Sequence, residues 1–188
     1  MRLEASAVQQ RKQVKLRAQS CFLVMLQGIK TRALTKHADE RGFFTELVRQ
    51  DWITDDTLQQ CNFSITYPGV VRAWHRHVRG QTDHFVVLRG AIKLCAYNDA
   101  TAELNEIILT SDVLQSARIP GHYWHGFRVL GEQRAYLVYF VNKLYDSAAP
   151  DEERRPWNDA AVCPSIINGE MQDVRCGKPW DWMHTSFK

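Results

Sequence analysis

Between about Ile29 and Asn142 the chain is written in short runs of β-branched and aromatic residues separated by turn signals. Apolar and polar positions alternate or run together for a few residues, then stop at Gly, Pro, Asn or Asp. That is the pattern of strands, not of helices with their longer period. Phe43 to Val48 is one such run; Asn62 to Thr66 is another, closed by Tyr67-Pro68-Gly69; Val70 to Trp74 follows directly. His84 to Leu88 and Ala91 to Tyr97 flank Arg89-Gly90, which predicts a hairpin turn, with Asn98-Asp99 closing the pair. Glu106 to Leu109, Ser116 to Ile119, Trp124 to Val129 and Ala135 to Val141 bring the total to eight or nine strands. Short strands at this spacing, with at most one helical turn at Asp112 to Gln115, predict an all-β double-sheet barrel or sandwich.

The ends are written differently. Met1 to Ser20 is rich in Gln, Lys, Arg and Ala and has no Pro or Gly, so residues 1–27 read as an N-terminal extension, helical or disordered, ahead of a domain at 28–188. Pro150 to Pro156 is a charged connector that a short helix could occupy. Trp180-Asp181-Trp182 is too aromatic for a free tail and predicts a C-terminal extension packed back on the barrel.

Composition narrows the function classes. The 188 residues suit one domain, and a net charge of +3 gives no argument for nucleic acid or a membrane surface as partner. The apolar run Cys21 to Leu26 falls far short of the roughly 20 residues a membrane span needs. No small-residue cleavage site follows it, which argues against a signal peptide. The five cysteines are odd in number, scattered and form no C-x-x-C pair, as expected of buried thiols in a reducing cytoplasm.

Candidate chemistry is concentrated. Five of the seven histidines fall between His75 and Arg134. Imidazole titrates nearest neutrality, so such a cluster suits proton transfer or metal binding. In a strand, His75 and His77 share a face because side chains alternate, while Arg72 falls on the opposite face unless a bulge intervenes.

Several motifs occur in an informative order: Asp39-Glu40-Arg41-Gly42-Phe43-Phe44-Thr45-Glu46; Gln60-Cys61-Asn62-Phe63-Ser64; Gly69-Val70-Val71-Arg72-Ala73-Trp74-His75; Ile119-Pro120 through His125-Gly126-Phe127; and Trp157-Asn158-Asp159. Together they resemble the dTDP-4-dehydrorhamnose 3,5-epimerase family of double-stranded β-helix barrels, the cupin-type jelly roll, over about residues 28 to 160. The resemblance implies a nucleotide-sugar epimerase of deoxysugar or polysaccharide biosynthesis, acting on a 4-keto-6-deoxy sugar. It implies His75 as the base that removes the proton α to the ketone, Asp159 as the carboxylate paired with that base, and Tyr139 as the acid on the opposite face. It implies Asn62, Arg72 and His125 as lining of the sugar and phosphate site. Arg41, Phe44 and Glu46 would hold the nucleotide, partly across the boundary of a homodimer. It calls for no metal or redox cofactor.

The sequence departs from the family at informative points. Where the family has Gln-x-Lys, with the lysine beside the ketone oxygen, this chain has Gln81-Thr82-Asp83-His84. A carboxylate repels a developing oxyanion, so His84, His77 or Arg72 would have to supply the missing positive charge. Ala73-Trp74 stands where Gly-Leu is usual, and His77 where a glutamine is usual. The same substitutions open a second possibility. Gly69-x5-His75-x-His77, then Asp83 and a glycine seven residues on, approximates a cupin metal motif, and with His125 it supplies three histidines and one carboxylate. A non-catalytic nucleotide-sugar-binding homologue is the third. Taken one at a time the residues read more plainly: Tyr139 as a core tyrosine, His84 as a structural hydrogen-bonder, Asp159 as a turn or cap residue.

Overall fold

Burial explains why the strands read as they do. Along β4 (Gln60–Thr66) half-buried and exposed positions alternate up to the buried Thr66, because one face is better covered than the other. In β6 (Thr82–Arg89) six consecutive residues are buried. One face of β6 looks into the barrel; the other is covered by Leu34 and Leu114, backed by Leu47, Val48 and Trp52, around Val86. Covered on both faces, the strand is apolar from Phe85 to Val87, and its buried polar residues, Thr82 to His84, gather at one end. The computed structural model describes residues 24–185. Of the extension expected over residues 1–27, helical or disordered, residues 1–23 lie outside the described residues; at its end Leu26 is buried in the main core.

Before β4 come β1 (Lys30–Ala33), β2 (His37–Asp39) and β3 (Gly42–Phe44). After it come β5 (Val71–Arg76), β6, β7 (Ala91–Asn98), β8 (Glu103–Thr110), β9 (Gln115–Pro120), β10 (Trp124–Leu130), β11 (Ala135–Val141), β12 (Glu153–Arg154) and β13 (Ile166–Ile167). They form a five-stranded sheet, β1-β9-β6-β11-β4, a six-stranded sheet, β12-β5-β10-β7-β8-β13, and a separate β2-β3 hairpin. Between the two large sheets Phe85, Val87, Ile92, Leu94, Leu109, Ile119, Phe127 and Leu137 form the main core. The fold is the all-β barrel expected, with one turn of 3₁₀-helix at Gln50–Trp52 and no α-helix among the described residues. Among the described residues no helix is long and apolar enough to cross a membrane.

Four local expectations need correction. The Arg89-Gly90 turn does not join a hairpin: β6 and β7 lie in different sheets, and the turn carries the chain from one to the other. Gly90 takes φ +76°, and a Cβ there would meet the Arg134 carbonyl oxygen at 2.8 Å, so the crossing requires glycine. The true hairpin is β7-β8, paired from Ala91↔Thr110 to Asn98↔Glu103. The run Phe43 to Val48 is a strand only to Phe44. The charged connector is extended, not helical: β12 adds to β5 through Glu153↔Arg76 and Arg154↔His75. Of the described cysteines only Cys95 is buried, and Cys61 is exposed.

The C-terminal segment packs as anticipated. Trp180 and Trp182 are buried with Trp74, Leu104, Val162 and Ile167 in a second core on the six-stranded sheet. The Trp74 and Trp182 rings lie 4.7 Å apart, and Trp182 Nε1 donates to the Trp157 carbonyl at 3.0 Å. This clamp backs β5, the strand that carries His75.

Candidate active site

The two large sheets diverge to leave a pocket of about 940 Å³. One wall is a row across three strands of the five-stranded sheet. Tyr139 pairs with Asn62 on one side and Phe85 on the other, and all three line the pocket. The facing wall is β5. There, three residues of β10, His125 to Phe127, oppose four of β5, Arg72 to His75. The extra residue breaks the alternation, so that Arg72 and His75 both line the pocket despite their odd spacing. Gly121 and Gly126 permit the close approach. A Cβ on Gly121 would meet His77 Cβ at 2.8 Å, and one on Gly126 would collide with Ala73.

The floor is a polar cluster. His75, His77, Asp83 and His125 present nitrogen and carboxylate atoms within 4.8 Å of one another. Asp83 Oδ2 lies 3.1 Å from His125 Nε2 and 3.5 Å from His77 Nε2, and Asp83 Oδ1 accepts from the Gln81 amide at 2.9 Å. The outer nitrogens are also fixed. His125 Nδ1 lies 2.8 Å from the Tyr123 carbonyl, and His77 Nδ1 meets the Asp151 carbonyl. His75 is held by packing, its ring 4.1 Å from that of His125. Burial, reinforced by the nearby His125, pushes the His75 pKa well below its ordinary value, so the ring is neutral and able to accept a proton. Burial alone would raise the Asp83 pKa, but hydrogen bonds to His125 and His77 hold it well below the usual carboxylate range. Burial opposes a charge on His77, yet Asp83 and Asp151 outweigh it and raise that pKa. Tyr139 is raised by burial first and by Asp83 second, which keeps it a phenol able to donate a proton.

The structure thus brings together His75, Tyr139, Asn62, Arg72, His77 and Asp83 around one pocket. Other expected residues fall elsewhere. Asp159 does not line the pocket; its Oδ1 accepts the Ala161 N–H at 3.0 Å, the work of a turn residue. The acid beside His75 is Asp83. His125 belongs to the polar floor through Asp83 and His75 but is fully buried and does not itself line the pocket. His84 follows Asp83 in the strand and therefore faces the other way, its Nε2 3.3 Å from Asp56 Oδ2. Arg41, Phe44 and Glu46 line no part of this chain's own pocket. Arg41 pairs with Asp39, Glu46 with Arg49, and Phe44 is exposed. Sequence reasoning passed over Gln81 and Asp151 as site residues. Gln81 stands inside a quoted motif, but Asp151 acts through its backbone carbonyl, which leaves no signal in residue type.

Residues 37–153 match the family model described as the polysaccharide biosynthesis C-terminal domain. The chain belongs to that family. Within it, the chain is 40% identical over 139 residues to the probable low-salt glycan biosynthesis epimerase Agl13 of Haloferax volcanii, an alignment covering 71% of this chain and 89% of that protein. It is 35% identical over 143 residues to the spore coat polysaccharide biosynthesis protein SpsL of Bacillus subtilis, covering 73% and 94%. By these relatives the family member described here is a sugar epimerase of polysaccharide biosynthesis. Solved structures share the barrel. The dTDP-6-deoxy-D-glucose-3,5-epimerase of Legionella pneumophila in complex with dTDP-4-keto-L-rhamnose superposes with a TM-score of 0.66 at 24% identity, covering 74% of this chain and 78% of that one. ChmJ, a 3'-monoepimerase from Streptomyces bikiniensis in complex with dTDP-quinovose, superposes at 0.64 and 20% identity, covering 72% and 73%. At those identities the likeness is one of fold.

Proposed function

We propose that this epimerase acts on a 4-keto-6-deoxy sugar carried on a nucleoside diphosphate. The observation that carries the reading is that His75 and Tyr139 project from facing sheets into one pocket. His75 takes the proton from the carbon next to the ketone. The C–H electron pair moves into the carbon–carbon bond, and the carbonyl pair moves onto oxygen, giving an enolate. Tyr139 returns a proton to the opposite face, the ketone re-forms, and the centre is inverted. His75 and Tyr139 then exchange protons with water and are restored. A base and an acid on opposite faces are what inversion needs, as a single group would return the proton to the side it left.

The pocket mouth supports a nucleotide-linked substrate. Arg72, Arg79, Lys143 and Arg154 line it, and guanidinium groups suit the paired oxygens of a diphosphate. The β2-β3 hairpin supports a homodimer. It exposes Phe43 and Phe44, and β4, an edge strand of the five-stranded sheet, exposes Phe63 and Ile65. Apolar edges of this kind are normally covered. In a dimer Arg41, Phe44 and Glu46 would reach the partner's nucleotide.

The test is solvent exchange. Incubated in deuterium oxide with a dTDP-linked 4-keto-6-deoxy sugar, the protein should place deuterium at carbon next to the ketone, followed by proton NMR. His75→Asn should abolish this. Absence of exchange with every nucleotide-linked keto-sugar offered would overturn the reading.

A further inference from the structure

We propose that Asp151 is a positioning residue for the reaction: it fastens the connector at residues 143–156 to the turn after β5, and so sets the ring of His77 against Asp83. The inference rests on the keto-sugar reading for its kinetic consequence, but not for the geometry of the ring.

One residue of the connector binds three successive residues of the turn. Asp151 Oδ1 accepts the Val78 N–H at 2.9 Å and the Arg79 N–H at 2.8 Å, and the Asp151 backbone carbonyl meets Nδ1 of His77. A carbonyl only accepts, so that ring nitrogen carries the hydrogen. The Asp151 side chain is 14% exposed, so these charge-assisted bonds are little weakened by water. The β12-β5 ladder cannot do the same work. It stops at Glu153↔Arg76, one residue short of His77. Beyond it the guanidinium of Arg79 reaches the Ala149 carbonyl, but that contact holds neither the backbone of the turn nor the ring.

With Nδ1 tied outward, the other end of the ring is turned to the floor of the pocket. The two hydrogens of the Gln81 amide serve His77 Nε2 at 3.0 Å and Asp83 Oδ1 at 2.9 Å, and Asp83 Oδ2 lies 3.5 Å from His77 Nε2. The position of the Asp83 carboxylate therefore depends on where His77 stands. Its charge bears on both the base, His75, and the acid, Tyr139. Asp151 thus acts on the chemistry through His77 and Asp83. It also lines the pocket, but Oδ1 is spent on the protein's own backbone. A positioning role and a substrate contact differ in outcome: the first lowers kcat, the second raises KM.

The experiment compares three variants of the full-length chain. Asp151→Asn keeps the acceptor oxygen in place and removes the charge. Asp151→Glu keeps the charge and displaces the oxygen by one methylene. Asp151→Ala removes both. With a dTDP-linked 4-keto-6-deoxy sugar, kcat should fall by about 10-fold or more in Asp151→Glu and Asp151→Ala, with KM within about 3-fold, and Asp151→Asn should recover most of the loss. On a His77→Gln background, Asp151→Ala should add less than about 3-fold, because its effect passes through the ring. The ring is also read directly. In protein labelled with ¹⁵N in histidine, the Nδ1 proton of His77, assigned by its loss in His77→Gln, should exchange slowly with water in wild type and Asp151→Asn and disappear in Asp151→Glu. Asp151→Asn as slow as Asp151→Ala, a loss confined to KM, full additivity with His77→Gln, or a ring signal unchanged in Asp151→Glu overturns the inference. If Asp151→Ala does not fold, the contrast between Asp151→Asn and Asp151→Glu carries the same test. Wild-type protein that turns over no nucleotide-linked keto-sugar counts against the keto-sugar reading, and the ring signal then decides the positioning alone.

Discussion

His125 Nε2 lies 3.1 Å from Asp83 Oδ2, with both side chains shut away from water. The sequence places these residues on different strands and in different motifs, and the barrel makes them a pair. Asp83→Asn keeps the shape and removes the charge that His125 and His77 both face. Breaking a buried pair from one side costs about 3 kcal/mol or more. The midpoint in a denaturant titration should move by that amount, and deuterium exchange should fall by about 100-fold. A variant as stable and as fast as wild type would show that the pair matters to neither.

Tyr139 and His75 divide the two halves of the reaction, so their variants should differ in kind. Tyr139→Phe removes the hydroxyl and leaves the ring packed 5.8 Å from Phe85. Deuterium should still enter next to the ketone, because His75 can take a proton and give one back on its own face. The inverted product should fall by about 100-fold or more. NMR of the recovered sugar separates the two outcomes, and loss of exchange in step with inversion would remove Tyr139 from its assigned role.

Arg72 lines the pocket. Arg72→Ala should raise KM by about 10-fold or more with a much smaller change in kcat, since a charge-assisted hydrogen bond is worth about 1.5–3 kcal/mol. Arg72→Lys should recover only part of this, because an ammonium cannot bridge two phosphate oxygens as a guanidinium does. A fall confined to kcat would place Arg72 in the chemistry instead.

The outer face of β6 carries a separate ionic site. Asp56 Oδ2 is 2.7 Å from Arg118 Nε and 3.3 Å from His84 Nε2. Burial works to raise the Asp56 pKa, but the Arg118 hydrogen bond and charge prevail and lower it. A carboxylate with a lowered folded-state pKa contributes stability above its unfolded value of about 3.9, and that contribution is lost as pH falls through the folded-state value. Asp56→Asn should cost about 3 kcal/mol at neutral pH. The gap to wild type should narrow as pH falls from about 5 to about 2 in parallel thermal melts. A gap independent of pH would mean that Asp56 acts through packing alone.

Phe44 is 64% exposed on a hairpin that does not line the active-site pocket of its own chain. Phe44→Asp should leave the melting curve of the barrel unchanged, shift the sedimenting species from dimer to monomer, and weaken nucleotide binding. Wild-type protein sedimenting as a monomer would remove the partner's hairpin from the site.

Most strands were legible because Val, Ile and aromatic runs bounded by turn residues report local backbone preference. What the sequence hides is pairing. Arg89-Gly90 has hairpin chemistry, yet which sheet a strand joins is settled by distant residues, and β6 finds its neighbours in β9 and β11. The common face of Arg72 and His75 depends on a bulge against β10, which no residue type announces. Asp159 matched a motif, but its carboxylate is taken by the Ala161 N–H. His84 could have been set aside from sequence, because alternation already turns it away from Asp83. The floor of the site was legible as four residues, but not the backbone carbonyls of Asp151 and Tyr123 that fix two of its rings.

The crossing at Gly90 has a consequence for how the enzyme comes into being. Because the strands from β4 to β11, the β7-β8 hairpin apart, are dealt alternately to opposite sheets, neither sheet can zip up along the chain before the other, and every pairing of β6 closes a loop tens of residues long. Base and acid belong to separate sheets, so a half-assembled barrel has one without the other. Recovery of turnover during refolding should therefore lag behind early strand formation and coincide with the last cooperative step, making catalysis itself the gauge of closure.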